Sequence, residues 1–163
     1  MSSSRIVSDS IVIDSPPGRI FDILADPRQH RLIDGSGALQ GTVSGPERLS
    51  HGARFGMHMR IGLPYRVTNT VIEYDENRRI AWQHLARHTW RYELEPAADG
   101  VRVTESWDWS TSPVARLMEF ARFPAKNKNS IRATLIRLKR AAEAEPTRGT
   151  EAEPTRGTEA EPG

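Results

Sequence analysis

The chain has 163 residues, with 23 Lys and Arg against 21 Asp and Glu and a formal net charge of +2. It contains no cysteine, which excludes disulfides and thiolate chemistry. No apolar run is long enough to span a membrane and the N-terminus lacks the pattern of a secretory signal. The sequence therefore predicts a cytoplasmic protein with one folded domain.

The last part of the chain differs from the rest in composition. Residues 143–163 read EAEPTRGT twice and then EAEPG, with six acidic and two basic residues and no apolar side chain larger than alanine. Such a segment cannot bury enough surface to offset its ordering entropy, so we predict a disordered tail. Residues 1–142, the predicted folded domain, carry 21 basic against 15 acidic residues. Because the basic residues are not concentrated on one helix or strand face, we expect solvated surface rather than a nucleic-acid interface.

The folded part begins with a strand and two short helices. Ile6 and the run Ile11–Ile13 give the segment from about Arg5 to Asp14 the apolar content of a strand. In SPPGRIFDILAD the prolines suit a first helical turn, and the apolar residues that follow recur at helical spacing. DPRQHRLID predicts a second short helix, and DGSG at 34–37 predicts a loop.

Six further strands are predicted at regular spacing, separated by turn signals such as GLP, DEN and AADG. They are ALQGTVSG, RFGMHMRI, YRVTNTVIEY, RRIAWQHL, HTWRYELEP and VRVTESWDWS. After Pro113 the apolar spacing becomes helical up to Ala142, and we expect Pro124 to kink or break this long helix. The order predicts an α+β fold, in which a seven-stranded antiparallel sheet curves around the long C-terminal helix and leaves an internal space.

The last predicted strand, VRVTESWDWS at 101–110, contains a polar exception. Strand alternation places Glu105 on the same face as two valines and two tryptophans. A carboxyl group buried there would have a raised pKa, and it could donate a hydrogen bond to a ligand or act as general acid or base. The alternative is an ion pair with an arginine such as Arg60 or Arg91, which would give Glu105 a structural role only.

The hairpin turns set the register of the last three strands. The AADG loop places Tyr92 opposite Glu105. The LAR turn places Trp82 opposite Trp90. All four side chains then share one concave face with the apolar face of RFGMHMRI. The expected ligand contacts are Phe55, Met57, Met59, Asn69, Trp82, His84, Trp90, Tyr92, Glu105 and Trp107.

An apolar, aromatic concavity with a few polar groups is typical of a small-molecule pocket. The alternative is a packed aromatic core without a cavity, in which Glu105 is satisfied by Tyr92 or an arginine. For YRVTNTVIEY, two choices stay open, because the face that carries Asn69 and the face that carries Tyr74 both fit the pattern.

Other residue patterns do not indicate a metal site, a hydrolase site or a nucleotide-binding site. His84 and His88 face each other across a tight turn, without the helical spacing or the third ligand of a zinc site, so we expect no metal. No serine lies in a G-x-S-x-G elbow and DGSG is too short for a nucleotide fingerprint, so we expect no cofactor. The catalytic candidates are therefore Glu105, His84 and Tyr92.

Several segments together resemble the START-like (SRPBCC) superfamily, in particular its polyketide cyclase/dehydrase and lipid-transport branch. They are SIVIDSPPGRIFDILADPRQH, VIEYDENRRIAWQH and WRYELEPAADGVRVTESWDWS, followed by the long helix. The resemblance covers roughly residues 5–142 and implies the helix-grip fold, with an elongated apolar cavity between the sheet and the C-terminal helix. It implies gating loops at DGSG and at GLP, residues 62–64, and it transfers no catalytic set.

Three functional hypotheses follow. The leading one is binding of a small, largely apolar molecule of aromatic, polycyclic or lipid-like character. The second is a cyclase or dehydratase acting on a polyketide-like substrate in the same cavity, with His84 or Glu105 as base and Tyr92 as hydrogen-bond donor. The third is partner or RNA binding through the basic surface, with a steep dependence on salt. We expect a monomer or a homodimer.

Overall fold

The computed structural model describes residues 4–40, 44–84 and 86–144. The sheet of the described residues consists of the strands β1 (Ile6–Ile13), β2 (Arg54–Ile61), β3 (Leu63–Asp75), β4 (Arg79–Gln83), β5 (Thr89–Ala97) and β6 (Gly100–Asp108). The helices are α1 (Pro17–Ala25), α2 (His30–Ile33), α3 (Ala115–Phe120) and α4 (Phe123–Glu143), and a 3₁₀ turn spans Pro27–Gln29. None of the helices within the described ranges is long and apolar enough to cross a membrane.

The sheet is antiparallel, with the strand order β1-β6-β5-β4-β3-β2. Helix α4 packs across it with a stripe of fully buried side chains, Ile131, Leu135 and Leu138. These residues recur every three or four positions and thus lie on one helix face, which buries apolar surface against the sheet. The predicted α+β fold with a sheet gripping a long C-terminal helix is confirmed.

The prediction of seven strands is wrong, since the sheet described by the structure has six. The segment ALQGTVSG makes only isolated bridges to β2, from Leu39 and from Ser44, and its residues 41–43 lie outside the described ranges. Side chains take up the backbone donors at its start, because Asp34 accepts a hydrogen bond from the Leu39 amide and Ser36 accepts one from the Ala38 amide. Local side-chain bonds of this kind compete with a continuous strand ladder.

The C-terminal helix is interrupted close to the predicted position. Arg122 adopts a left-handed backbone conformation, with φ of 59°, between α3 and α4. Pro124 lies in the first turn of α4, where its missing amide hydrogen is not needed. The helix continues to Glu143, one residue beyond the predicted domain boundary, and residues 145–163 of the predicted disordered tail 143–163 lie outside the described ranges.

A β-bulge decides which face of β3 points inward. The register with β4 shifts between Val71 and Glu73. Before the bulge Asn69 lies on the concave side, whereas after it Tyr74 does, with its ring edge-on to that of Phe21 at 5.4 Å. One extra residue swaps the faces of a strand, so each of the two open choices holds over part of β3.

The predicted pairing of the last three strands is confirmed. Tyr92 lies opposite Glu105 and Trp82 opposite Trp90. The β5–β6 pairing extends to Ala97 and Gly100, so the connection is a tighter turn than the predicted four-residue loop. This register brings the aromatic side chains and the glutamate onto one concave face.

Candidate functional site

A cavity of about 320 Å³ lies between the concave face of the sheet, the loop after α2, helix α3 and the first half of α4. Every predicted contact residue except Phe55 lines it: Met57, Met59, Asn69, Trp82, His84, Trp90, Tyr92, Glu105 and Trp107. Phe55 lies behind the wall, with its ring edge-on to that of Trp82 at 5.5 Å. The concave face therefore encloses space and is not a solid aromatic core.

Glu105 and Tyr92 form a buried hydrogen-bonded pair in this wall. The Tyr92 hydroxyl donates to Oε1 of Glu105 at 2.8 Å, and only 2% of Glu105 is exposed. Oε2 of Glu105 has no hydrogen-bond partner within the described residues. Arg91 pairs instead with Glu73, at 3.0 Å from Nε to Oε2, and no described Lys or Arg pairs with Glu105. The ion-pair alternative is therefore wrong.

Burial is the main influence on the pKa of Glu105. Desolvation raises the pKa of the Glu105 carboxyl well above its ordinary value, and the hydrogen bond from Tyr92 only partly counteracts this effect. The negative charge of Asp34 raises the pKa further. Burial and the neighbouring Glu105 likewise raise the pKa of Tyr92. Since Oε1 already accepts from Tyr92, a neutral carboxyl here would carry its proton on Oε2, where it could be donated to a ligand.

His30 is a cavity residue that the sequence did not single out. Its ring stacks on Trp82, with centroids 5.0 Å apart, and its Nε2 lies 2.8 Å from the carbonyl oxygen of Leu24. That contact requires Nε2 to donate, so Nδ1 presents a lone pair, and Nδ1 has no partner within the described residues. Burial lowers the pKa of His30 and keeps the ring neutral. Its only sequence signal was its spacing from Ile33, one turn along α2, which also lines the cavity.

Three buried side-chain atoms in the described residues lack a hydrogen-bond partner: Nδ1 of His30, Nδ2 of Asn69 and Oε2 of Glu105. All three side chains line the same cavity. An unsatisfied buried polar group costs about 1–3 kcal/mol, so most native proteins contain few of them. The unpartnered polar atoms of the described residues are thus gathered at one cavity.

The predicted His84–His88 pair closes the end of the cavity near the β4–β5 turn. The two rings meet edge to face at 3.9 Å. The Ala86 amide donates to Nδ1 of His84 at 3.1 Å, and Nε1 of Trp107 donates to Nδ1 of His88 at 2.8 Å. Both neutral rings therefore carry their proton on Nε2. In this tautomer His84 offers a donor, which argues against its predicted role as a base.

His88 should stay neutral far below the usual histidine range. Desolvation, aided by the neighbouring His84, lowers the pKa of His88 to about 3. We expect its ring ¹⁵N shifts to remain those of a neutral Nε2–H tautomer through pH 5, in a titration followed by two-dimensional NMR. A midpoint for His88 of about 6.5, the ordinary value for histidine, would show that the ring is solvated.

The loop at 34–39 forms one rim of the cavity, in the region predicted from DGSG. The Asp34 carboxylate accepts hydrogen bonds from the Ser36 amide and hydroxyl and from the Leu39 amide. Gly35 presses against α4 and its amide donates to Oγ1 of Thr134 at 3.0 Å. Near the GLP turn, Ile61 and Tyr65 line the cavity from the hairpin that joins β2 and β3.

Within the described ranges, the lining of the cavity contains carboxyl groups but no basic side chain of Lys or Arg. The carboxyl groups belong to Asp34 and the buried Glu105. A bound carboxylate or phosphate would leave water without gaining a cationic partner, and it would lie near the charge of Asp34. The cavity thus favours molecules without an anionic group.

Comparisons with known proteins agree with this architecture. Residues 4–143 match the sequence profile of the family described as polyketide cyclase/dehydrase and lipid transport. An uncharacterized protein of Mycobacterium tuberculosis H37Rv, Rv0088, is 36% identical over 138 residues, which cover 81% of this chain and 62% of that protein. The chain therefore spans 62% of the length of the curated relatives that it matches.

Solved structures share the fold at low identity. The solution structure of KanY superposes with a TM-score of 0.70 at 16% identity, over 87% of this chain and 99% of KanY. The di-domain ARO/CYC protein BexL, of the BE-7585A biosynthetic pathway, superposes with a TM-score of 0.63 at 19% identity, over 86% of this chain and 50% of BexL. Such likeness shows the fold alone. With the profile matching nearly the whole described chain, this protein belongs to the polyketide cyclase/dehydrase and lipid transport family of the START-like superfamily.

Proposed function

We propose that this protein binds a small, largely apolar and uncharged molecule in the cavity between the sheet and α4. The observation that carries the proposal is that the unpartnered atoms of His30, Asn69 and Glu105 all belong to the lining of one apolar space. A ligand with a hydroxyl group for the His30 lone pair and a carbonyl oxygen for the Glu105 proton would satisfy two of them. The family supports small-molecule binding in general.

The walls favour a flat or polycyclic molecule. Trp82 and Tyr92 lie with ring centroids 5.5 Å apart, and Trp90 and Trp107 lie 6.1 Å apart, so indole and phenol surfaces dominate the sheet side. Aromatic surfaces pack against flat rings with little loss of conformational entropy. Met57 and Met59 from β2 are flexible and can adapt to the outline of the ligand. The volume is close to the lower end of the range for ligand pockets, about 300–1,000 Å³, which indicates a compact ligand.

A pair of fluorescent probes that share one ring system tests the charge preference. N-phenyl-1-naphthylamine is neutral, and 1-anilinonaphthalene-8-sulfonate adds a sulfonate to the same scaffold. We expect the neutral probe to bind with an increase in emission. The sulfonate should bind at least about tenfold more weakly, because no Lys or Arg among the described residues lines the interior of the cavity. Native mass spectrometry of freshly purified protein, with solvent extraction, would identify the class of any retained ligand.

Two variants test whether the neutral probe binds in the cavity. Trp90→Ala should weaken binding of the neutral probe, because Trp90 lines the cavity, whereas Arg102→Ala lies on an exposed site of β6 and should leave it unchanged. Failure of the neutral probe to bind, together with clean apo protein in native mass spectrometry, would contradict the proposal. Equal affinity for both probes would contradict the uncharged character of the ligand.

A second candidate is the cyclase or dehydratase activity of the initial hypotheses. The arrangement that favours it is the pair of unpartnered atoms Oε2 of Glu105 and Nδ1 of His30 in one cavity, the first a donor when protonated and the second a lone-pair acceptor. Glu105 would polarise a carbonyl oxygen and His30 would remove a proton from the adjacent carbon. Tyr92, the predicted donor, already donates its proton to Glu105 and would act as a positioning residue.

This activity has a direct readout that needs no natural substrate. Bound 1-phenyl-1,3-butanedione should exchange its acidic carbon-bound hydrogens with D₂O faster than in buffer, as measured by NMR. Glu105→Gln should slow that exchange while the probe still binds. Binding without accelerated exchange would leave the protein as a binding domain without this chemistry.

A further inference from the structure

The cavity reaches the surface through an apolar region with unusual exposure. All seven residues from 60 to 66, the tip of the β2–β3 hairpin, are exposed, including Leu63 at 80% and Ile61 at 56%. On α3, Phe120 is 88% exposed and Leu117 is 63% exposed. Ile61 and Tyr65 of the tip and Met118 and Phe123 next to the exposed α3 side chains line the same cavity. We call residues 60–66 and 116–126 together the mouth surface.

The mouth surface also carries positive charge. Its only acidic residue, Glu119, bonds to Arg5 at 2.8 Å and to Nε1 of Trp109 at 3.1 Å. Its cations are exposed and form no ion pair within the described residues, and they come from both sides of the opening. They are Arg60, Arg66, Arg116, Arg122 and Lys126. These residues are scattered in the sequence, and the fold assembles them around one opening.

We propose that the mouth surface docks on an anionic lipid bilayer, with Leu63 and Phe120 inserted among the acyl chains near the headgroups. Exposed apolar side chains ringed by unpaired cations are the combination that binds a membrane interface, because burial of apolar area adds to attraction by anionic headgroups. Docking in this orientation would turn the opening of the cavity towards the bilayer, from which an apolar ligand can partition. Docking itself does not depend on which ligand the cavity binds.

Two other occupants fit the observations less well. A second copy of the chain in a symmetric pair would bring the same cations face to face, which disfavours association. A folded acidic protein would need pockets that match two separate protruding points, Leu63 on a hairpin and Phe120 on a helix. A bilayer accepts protruding apolar groups wherever they lie in one plane, so it suits this surface best.

Vesicle sedimentation with the full-length chain tests the proposal. We expect binding to vesicles of phosphatidylcholine mixed with an equal amount of phosphatidylglycerol, and little binding to phosphatidylcholine alone. The double variant Leu63→Ser, Phe120→Ser should lose about tenfold in the partition constant, and Arg60→Glu, Arg66→Glu should lose a similar factor. None of these four side chains lines the cavity, so binding of the neutral probe should persist in both variants.

Matched controls come from the other end of the sheet. Ile72→Ser removes an exposed isoleucine in the β3 bulge, and Arg102→Glu reverses the charge of an exposed arginine beside the β5–β6 turn. Both should bind vesicles like the unchanged protein. Charge-dependent binding that survives the Leu63 and Phe120 changes would overturn insertion, as would a complete lack of vesicle binding. A dimer in light scattering that these changes abolish would instead identify a second copy as the occupant.

Discussion

Replacing Gly35 with alanine should lower the free energy of unfolding by about 3 kcal/mol. A Cβ at this position would lie 2.4 Å from the Ser130 carbonyl oxygen and 2.4 Å from the Thr134 amide nitrogen. Both are backbone atoms of α4, which cannot move aside without shifting the helix. The loop must therefore lift away, and it loses the hydrogen bond from the Gly35 amide to Thr134. Urea unfolding followed by circular dichroism measures the change.

The same substitution should also weaken ligand binding, since the lifted loop carries Asp34 and Ser36 of the cavity lining. Gly18→Ala is the matched control, because Gly18 lies in helix α1. A Cβ added there would contact only Oδ1 of Asn77, at an ordinary van der Waals distance of 3.6 Å. Alanine favours a helix over glycine, so this control should be neutral or stabilise by up to about 1 kcal/mol. Equal stability of the two variants would mean that the loop does not press on α4.

Glu105→Gln should make the protein more stable than the unchanged chain at pH 8 and about equally stable at pH 5. The pKa of Glu105 is raised in the folded state, so its contribution to stability is fully present below the unfolded value of 4.5 and is lost as the pH rises towards the folded pKa. Glutamine cannot ionise and still offers an oxygen to the Tyr92 hydroxyl. We expect a gap in melting temperature of about 3 °C or more at pH 8, measured by differential scanning fluorimetry.

Glu73→Gln provides a control of opposite sign. The hydrogen bond from Arg91 lowers the pKa of Glu73, so its contribution is present above the unfolded value and is lost as the pH falls. This variant should be less stable than the unchanged chain at pH 8, and the difference should shrink on acidification. A Glu105→Gln effect that is constant with pH would show that Glu105 is ionised and solvated.

The register of β4, β5 and β6 could be predicted because it depends on local information. Alternation with a period of two and short turns define which side chains face each other, so Tyr92 was placed opposite Glu105 correctly. The face of β3 could not be predicted, because a bulge after Val71 changes the alternation without a marker in the sequence. The seventh predicted strand pairs with β2 only at isolated bridges from Leu39 and Ser44, and strand propensity does not show how far such a pairing extends.

His30 shows which kind of site residue could not be predicted from the sequence. Its neighbours in sequence are polar, and only the packing of α2 over the sheet places its ring against Trp82. The same holds for the mouth surface, where cations of a hairpin and of two helices come together. Such convergence depends on how elements pack, which local patterns do not encode.

The sequence alone determined the α+β order of elements and the aromatic concave face with Glu105 in it, because both follow from periodicity and turn chemistry along the chain. The family was indicated separately, by the resemblance of several segments to known members. Only the tertiary structure decided that this face encloses a cavity, that Glu105 is paired with Tyr92 and not with an arginine, and that His30 and Asn69 join it there. Burial, charge and hydrogen-bond partners depend on residues that are distant in sequence, and they exist only once α2 and α4 have closed over the sheet.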